Sequence, residues 1–215
     1  MAIIAPSLLA ANFLELGKAC TMLNESEAAW FHLDVMDGSF VPNISFGLPV
    51  IEQIRKATTK VCDVHLMIVQ PEKYIGAFKK AGADILTVHY EACPNLMDTL
   101  SQIKAQGMKA GVAINPDTDV QVLAPYISTI DLVCVMSVFP GFGGQKFIEH
   151  TYEKVVTLKQ IITNANATTL IEIDGGVDTS NAAALTKAGA DVLVAGTTVF
   201  KAADPIAMIV ALKQA

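Results

Sequence analysis

Arginine is almost missing from this chain of 215 residues, where Arg55 is the only one among fifteen basic side chains. A bidentate guanidinium clamp on a phosphate is therefore nearly excluded, and an anion must be held mainly by backbone N–H groups or lysine. Positive charge is short overall. Twenty-one acidic residues leave a formal net charge of −6 and a pI near 5.1, which argues against nucleic acid or an anionic membrane surface as partner, since both reward clustered cations. No stretch of roughly 18 or more apolar residues runs uninterrupted by charge, proline or glycine, as a membrane span would require. The start, MAIIAPSLLAANF, lacks the basic opening and longer apolar run of a signal peptide. Cys20, Cys62, Cys93 and Cys134 stand at no metal-ligand spacing, and three lie in apolar segments where cysteine acts as a small hydrophobe. A soluble chain with reduced thiols in a cytoplasmic compartment is expected.

What the chain has is apolar mass. A hydrophobic content of 52% can fill one sizeable core, and the length suits a single α/β barrel domain spanning 1–215. Short apolar runs recur at Ile3–Ser7, Trp30–Asp34, Val61–Met67, Ile85–His89, Lys109–Ile114, Leu132–Ser137, Leu170–Ile173 and Val192–Ala195. Segments with helical spacing lie between them, among them Pro71–Ala81, Asn95–Gln106, Glu149–Asn164 and Thr179–Ala188. Strand and helix in alternation predict a parallel sheet, and the nearly continuous hydrophobicity of the runs predicts that both its faces are covered. Lys80-Ala81-Gly82-Ala83-Asp84 reappears as Lys187-Ala188-Gly189-Ala190-Asp191, four strand-helix units later. Such an echo favours a closed (β/α)8 TIM barrel over an open doubly wound sheet, although the pentapeptide also suits any helix-to-strand turn.

Four polar residues fall where strands of such a barrel end: His32 and Asp34 in WFHLDVMDG, His65 in VCDVHLM and Asp174 in LIEIDGG. Side chains alternate along a strand, so His32 and Asp34 share one face, and the other two strands can each deliver one group to the same place. A lone buried histidine is more often a satisfied core group than a ligand. Two imidazoles and two carboxylates sent to one cavity read instead as a site for Zn²⁺, Fe²⁺, Mn²⁺ or Co²⁺. Glu172 shares the face of Asp174 but lies deeper, as a support for the site or a structural group; Asp63 is read as structural. Met36, Met67 and Met136 end or follow ligand-bearing or neighbouring segments and could roof the metal site, with core packing as the alternative.

Three glycine-rich turns follow strands six, seven and eight: Pro140-Gly141-Phe142-Gly143-Gly144-Gln145, Asp174-Gly175-Gly176-Val177 and Ala195-Gly196-Thr197-Thr198. Glycines let successive N–H groups point into one concavity, and the last two loops are where barrels commonly hold phosphate. A phosphate cradle beside a metal with two carboxylates implies a phosphorylated ketose as substrate. The metal would polarise a ketone and stabilise the enediolate formed when the neighbouring carbon loses its proton. Asp34 and Asp174 could flank that carbon from opposite faces, one taking a proton and the other returning one, which inverts the stereocentre. No organic cofactor and no covalent nucleophile are needed.

SLLAANF, HLDVMDGSFVPN, DVHLM, MSVFPGFGGQKF, IEIDGGV and AGTTVF, in this order, resemble the signatures of the ribulose-phosphate 3-epimerase family from about Ile4 to Phe200. The resemblance implies interconversion of D-ribulose 5-phosphate and D-xylulose 5-phosphate in the pentose phosphate pathway. It implies a metal bound by His32, Asp34, His65 and Asp174, with Asp34 as proton acceptor and Asp174 as donor in one direction. It also implies sugar contacts from Ser7 and His65, and a phosphate surrounded by Gly141, Phe142, Gly143, Gly144, Gly175, Gly176, Gly196 and Thr197. Phe139 stands where the family usually has asparagine, and Thr197 where it usually has serine. Threonine keeps the hydroxyl and the main-chain donor, whereas Phe139 can reshape the loop wall.

An allulose 6-phosphate 3-epimerase would share the metal and carboxylate logic, but GFGGQ and DGG resemble the pentulose enzyme better. Decarboxylases and aldolases of the orotidine monophosphate decarboxylase and hexulose-phosphate synthase type carry an Asp-x-Lys-x-x-Asp pattern, which has no counterpart after strand three. A noncatalytic phosphosugar-binding barrel would not need to keep four costly buried polar groups. A homo-oligomer is expected, with its subunit number open.

Overall fold

The computed structural model describes residues 1–215. Eight parallel strands, β1 (Ile3–Ala5), β2 (Trp30–Met36), β3 (Val61–Met67), β4 (Ile85–His89), β5 (Lys109–Ile114), β6 (Leu132–Met136), β7 (Leu170–Asp174) and β8 (Val192–Val194), pair in the order β1-β8-β7-β6-β5-β4-β3-β2. The ring closes between β1 and β2 through a Ser7–His32 bridge and through bonds from the His32 N–H to the Pro6 carbonyl (3.1 Å) and from the Ala29 N–H to the Ile4 carbonyl (3.0 Å). The helices are α1 (Leu16–Glu25), α2 (Leu48–Ala57), α3 (Ile75–Ala81), α4 (Leu96–Ala105), α5 (Thr151–Asn164), α6 (Ala182–Ala188), α7 (Thr197–Phe200) and α8 (Pro205–Gln214). The expected TIM barrel is the architecture observed.

The strands are nearly all apolar because each has two buried faces. Outward residues such as Leu33, Val64, Leu86, Val112, Val135 and Ile171 join the helices in one main core. Inward residues stack in layers, as barrel interiors do. Trp30, Ile85, Leu132 and Val192 plug the bottom, and the polar residues lie above them. One departure from the sequence pattern follows β5, where a 3-10 segment with Pro125 inside it occupies Val120–Tyr126 in place of a regular helix. Proline removes a donor and crowds the preceding turn. The segment is capped by Asp119, and the turn that leads into it from β5 is tied to α5 by the buried Lys154, whose Nζ donates to the Asn115 and Pro116 carbonyls at 2.7 and 3.1 Å.

The repeated pentapeptide has a structural reason. Gly82 and Gly189 end α3 and α6 with φ of +106° and +125°, which glycine adopts at least cost. Asp84 then accepts the N–H of Cys62 in β3 at 2.8 Å, and Asp191 accepts the N–H of Ile171 in β7 at 2.9 Å. Asp131 does the same for Ala110 in β5 at 2.8 Å, so a carboxylate at the foot of each of β4, β6 and β8 clasps the strand before it.

Candidate active site at the barrel mouth

The period of two along β2 sends His32 and Asp34 inward, and parallel register aligns Asp34 with His65 of β3. Across the ring, β7 delivers Asp174 from its C-terminal end. One donor atom from each of these four residues lies within 4.8 Å of all the others. Asp34 Oδ1 is 3.2 Å from both His32 Nε2 and His65 Nδ1, and Asp174 Oδ2 is 3.9 and 3.5 Å from the same two nitrogens. A tetrahedral cation with bonds of about 2.0–2.1 Å would hold its ligand atoms about 3.3 Å apart, so the set fits a divalent ion.

The electrostatics favour positive charge at the centre of this set. Burial opposes ionisation of Asp34, yet the charge of His32 and hydrogen bonds from both imidazoles hold its carboxyl well below the usual carboxylate range. Burial works against charge on His32 as well, and Asp34 and Asp63 outweigh it, raising the imidazole well above its ordinary value. Asp63 lies 2.6 Å from His32 Nδ1, so the ring turns Nε2 to the cluster. Ser7 donates to Asp34 Oδ2 at 2.5 Å, leaving Oδ1 to face the imidazoles. Deeper in the barrel, burial and the neighbouring Asp63 push Glu172 well up, favouring its neutral form.

His65 turns its far side, Nε2, to Nε2 of His89, 2.9 Å away. Burial lowers His89 to about 4, leaving a neutral ring. Its Nδ1 lies 3.2 Å from Glu91. Burial opposes charge on Glu91, but bonds from His89, Thr118 and the Asn115 N–H bring it down to about 2.

Above the four donors opens a cavity of about 630 Å³. Its wall includes Ser7, Asp34, Asp174, the three methionines Met36, Met67 and Met136, and the glycine-rich turns Gly141–Gly144, Gly175–Gly176 and Gly196–Thr197. His32 and His65 are wholly buried and do not border this space. The turns are built for close approach. Gly176 has φ +63°, and a Cβ there would lie 2.7 Å from the Phe147 nitrogen and 3.1 Å from the Gln145 carbonyl oxygen. Ser137 braces the turn after β7 by donating to the Gly175 carbonyl at 2.6 Å, and Thr198 of α7 donates to the Val177 carbonyl at 2.6 Å. Asn43 fastens the loop after β2 to the Gly141 carbonyl at 2.7 Å. Phe139 and Phe142 edge the cavity, each about half exposed.

A family profile described as the ribulose-phosphate 3 epimerase family matches residues 3–200. The chain belongs to that family. Among its relatives is the ribulose-phosphate 3-epimerase of Bacillus subtilis, 48% identical over 202 residues that cover 94% of this chain and 93% of that one. The Rhodobacter capsulatus protein of the same name is 49% identical over 92% of this chain and 86% of its own, and the chloroplastic ribulose-5-phosphate-3-epimerase of Arabidopsis thaliana is 46% identical over 94% and 73%. The barrel is also similar to KGPDC from Streptococcus mutans (TM-score 0.74, 14% identity, 100% and 96% covered) and to a mutant tryptophan synthase α-subunit from Pyrococcus furiosus (0.71, 15%, 93% and 88%). At such identity these two likenesses establish the fold alone.

In this family member three residues at the site carried little signal in the sequence. Asp63 reads as structural until β2 and β3 are in register, when it stands opposite His32. His89 is visible as a polar strand end, but its contact with His65 depends on β3 and β4 being neighbours. Glu91 lies beyond the strand, in a short 3-10 turn over Tyr90–Ala92.

Proposed function

We propose that this chain interconverts D-ribulose 5-phosphate and D-xylulose 5-phosphate, an isomerase step of the pentose phosphate pathway, by moving the C3 proton between two carboxylates. The observation that carries the reading is the convergence of His32, Asp34, His65 and Asp174 within 4.8 Å of one another beneath a cavity walled by three glycine turns. Family membership supports the same activity.

Asp34 is the base in one direction. Its depressed pKa keeps it ionised, and Ser7 holds Oδ2 while Oδ1 faces the imidazoles. Asp174, on the opposite wall, returns a proton to the other side of C3, and the roles exchange in the reverse direction. His32, Asp34, His65 and Asp174 would hold a divalent ion, which when bound would supply Lewis-acid polarisation of the ketone and neutralise developing charge. Zn²⁺, Fe²⁺, Mn²⁺ and Co²⁺ all suit two nitrogens and two oxygens without thiolate. Main-chain N–H groups of Gly141–Gly144, Gly175–Gly176, Gly196 and Thr197 receive the phosphate, with Phe142 at their edge, and Thr197 opens α7 towards it. Ser7 contacts the sugar, His65 acts on it only through the ion because its ring lies outside the cavity and both its nitrogens are engaged, and Met36, Met67 and Met136 keep water from the reacting carbons.

The unit is one barrel domain over 1–215, working in the cytoplasm on a small phosphoketose and without nucleic acid or membrane. Four free, buried cysteines support that compartment, and no helix is long and apolar enough to cross a membrane. Exposed Phe13, Leu14 and Ile44 support assembly with further copies of the chain. The deciding experiment follows deuterium from D₂O into C3 during turnover of ribulose 5-phosphate, with allulose 6-phosphate run alongside. Incorporation with the pentulose at the higher kcat/KM is expected; a preference for the hexulose phosphate, or no exchange with either, overturns the reading.

A further inference from the structure

The far side of His65 is unusually well organised for a residue the chemistry does not need to touch there. Its Nε2 faces Nε2 of His89 at 2.9 Å, and the two rings meet edge to edge with centroids 5.0 Å apart and planes inclined by 26°. Phe40 packs against His89 with ring centroids 4.7 Å apart, and neither histidine has any exposure. On its outer edge His89 Nδ1 meets Glu91 Oε2 at 3.2 Å. The other carboxylate oxygen accepts the Asn115 N–H at 2.8 Å and the Thr118 hydroxyl at 2.5 Å. Glu91 is thereby fixed from two sides.

Counting protons along this line leaves one arrangement. An ionised carboxylate can only accept, so His89 carries its hydrogen on Nδ1. The 2.9 Å contact between the two Nε2 atoms holds one hydrogen; a metal-ligating His65 keeps its only hydrogen on Nε2, so that hydrogen belongs to His65 and His89 presents a bare Nε2. His65 Nδ1, which faces Asp34 and Asp174, then offers its lone pair to an ion held between them. We propose that Glu91, acting through His89, is a positioning residue that fixes His65 in the Nδ1-ligating tautomer and orientation. The inference rests on the four-donor metal reading and adds to it. Both imidazoles of the set are then oriented by a carboxylate, His32 directly by Asp63 and His65 through one intervening ring. Outer partners of metal-bound histidines are worth roughly 10–100-fold in metal affinity.

The test uses the Zn²⁺-loaded, full-length protein. Nitrogen-15 histidine NMR is expected to show His89 protonated on Nδ1 with a bare Nε2, and His65 protonated on Nε2; the reverse tautomer at His89 overturns the proposal without any variant. Zn²⁺ affinity is then measured by competition with a chelating dye. His89→Leu, which removes the acceptor, is expected to weaken Zn²⁺ about 10–100-fold. His89→Gln, whose Oε1 can reach the place of Nε2, restores most of that, and Glu91→Gln, at the rim, gives an intermediate loss. Undiminished Zn²⁺ affinity in folded His89→Leu and Glu91→Gln would sink the relay while leaving the metal site intact. Failure of the wild-type chain to bind Zn²⁺ would instead remove the metal reading and the relay with it.

Discussion

Gly176→Ala isolates the contribution of the phosphate cradle. At φ +63° an L-residue pays about 1–2 kcal/mol in backbone energy that glycine avoids. The added methyl would sit 2.7 Å from the Phe147 nitrogen, 3.0 Å from its Cα and 3.1 Å from the Gln145 carbonyl oxygen. All three are main-chain atoms, so no rotamer change relieves the clash and the strand of cradle from Gln145 to Phe147 must move. Overpacking of that kind adds about 1–3 kcal/mol, for a total loss of about 2–5 kcal/mol in stability. The displaced segment ends the glycine turn that walls the cavity, so KM for the phosphoketose should rise at least about tenfold, equivalent to about 1.4 kcal/mol of binding. Gly17→Ala in α1 is the internal control, because it has no positive φ, nothing within 4 Å of a new methyl and no place in the cavity wall. It should leave KM at the wild-type value and not lower the melting temperature. Steady-state epimerase assays and thermal melts on both variants decide the matter. If Gly176→Ala keeps wild-type KM and stability, or if Gly17→Ala is equally damaging, the cradle is not held by the contacts described.

Three further outcomes are expected. Asp174→Asn should lower kcat about 10²–10⁴-fold while circular dichroism and the melting transition still report a folded barrel, since general acid–base groups contribute in that range; near-normal turnover in metal-loaded Asp174→Asn would rule out its proton-transfer role. Exhaustive chelation should abolish activity and lower the melting temperature, with Zn²⁺, Mn²⁺, Fe²⁺ or Co²⁺ restoring both, because a ligand that binds only the folded state stabilises it; full activity in metal-free protein is the contrary result. Glu91 has a folded pKa of about 2 against an ordinary 4.5, so its contribution is complete above the higher value and lost as pH falls towards the lower one. Glu91→Gln should therefore cost about 2–3 kcal/mol in urea unfolding at pH 7, with the gap to wild type narrowing as both are acidified; a gap independent of pH would refute the assignment.

The legible parts of the molecule were those written in local pattern. Apolar runs marked all eight strands, with β2 extending two residues past Asp34 to Met36 and β1 stopping short of Ser7. Strand parity alone put His32 and Asp34 on one face. The illegible parts depend on which strands are neighbours and in what register. Asp63 opposite His32, and His89 against His65, are pairings between strands, and nothing in either segment specifies its partner's offset. The absence of a regular helix after β5 could be suspected from Pro125, but the turn leading into its replacement is held at Asn115 by Lys154, 39 residues further on, which is again a distant contact.

The aspartates beneath β4, β6 and β8 bind β3 with β4, β5 with β6 and β7 with β8 into staves riveted at the base, and leave β1 and β2 without a rivet. Seams therefore fall after β1, β2, β4 and β6. New chain ends opened at a seam, for example beside the exposed Gly107, cut no rivet, whereas ends opened inside a stave separate a carboxylate from the amide it holds. Circular permutants of this barrel should tolerate the first kind of opening far better than the second.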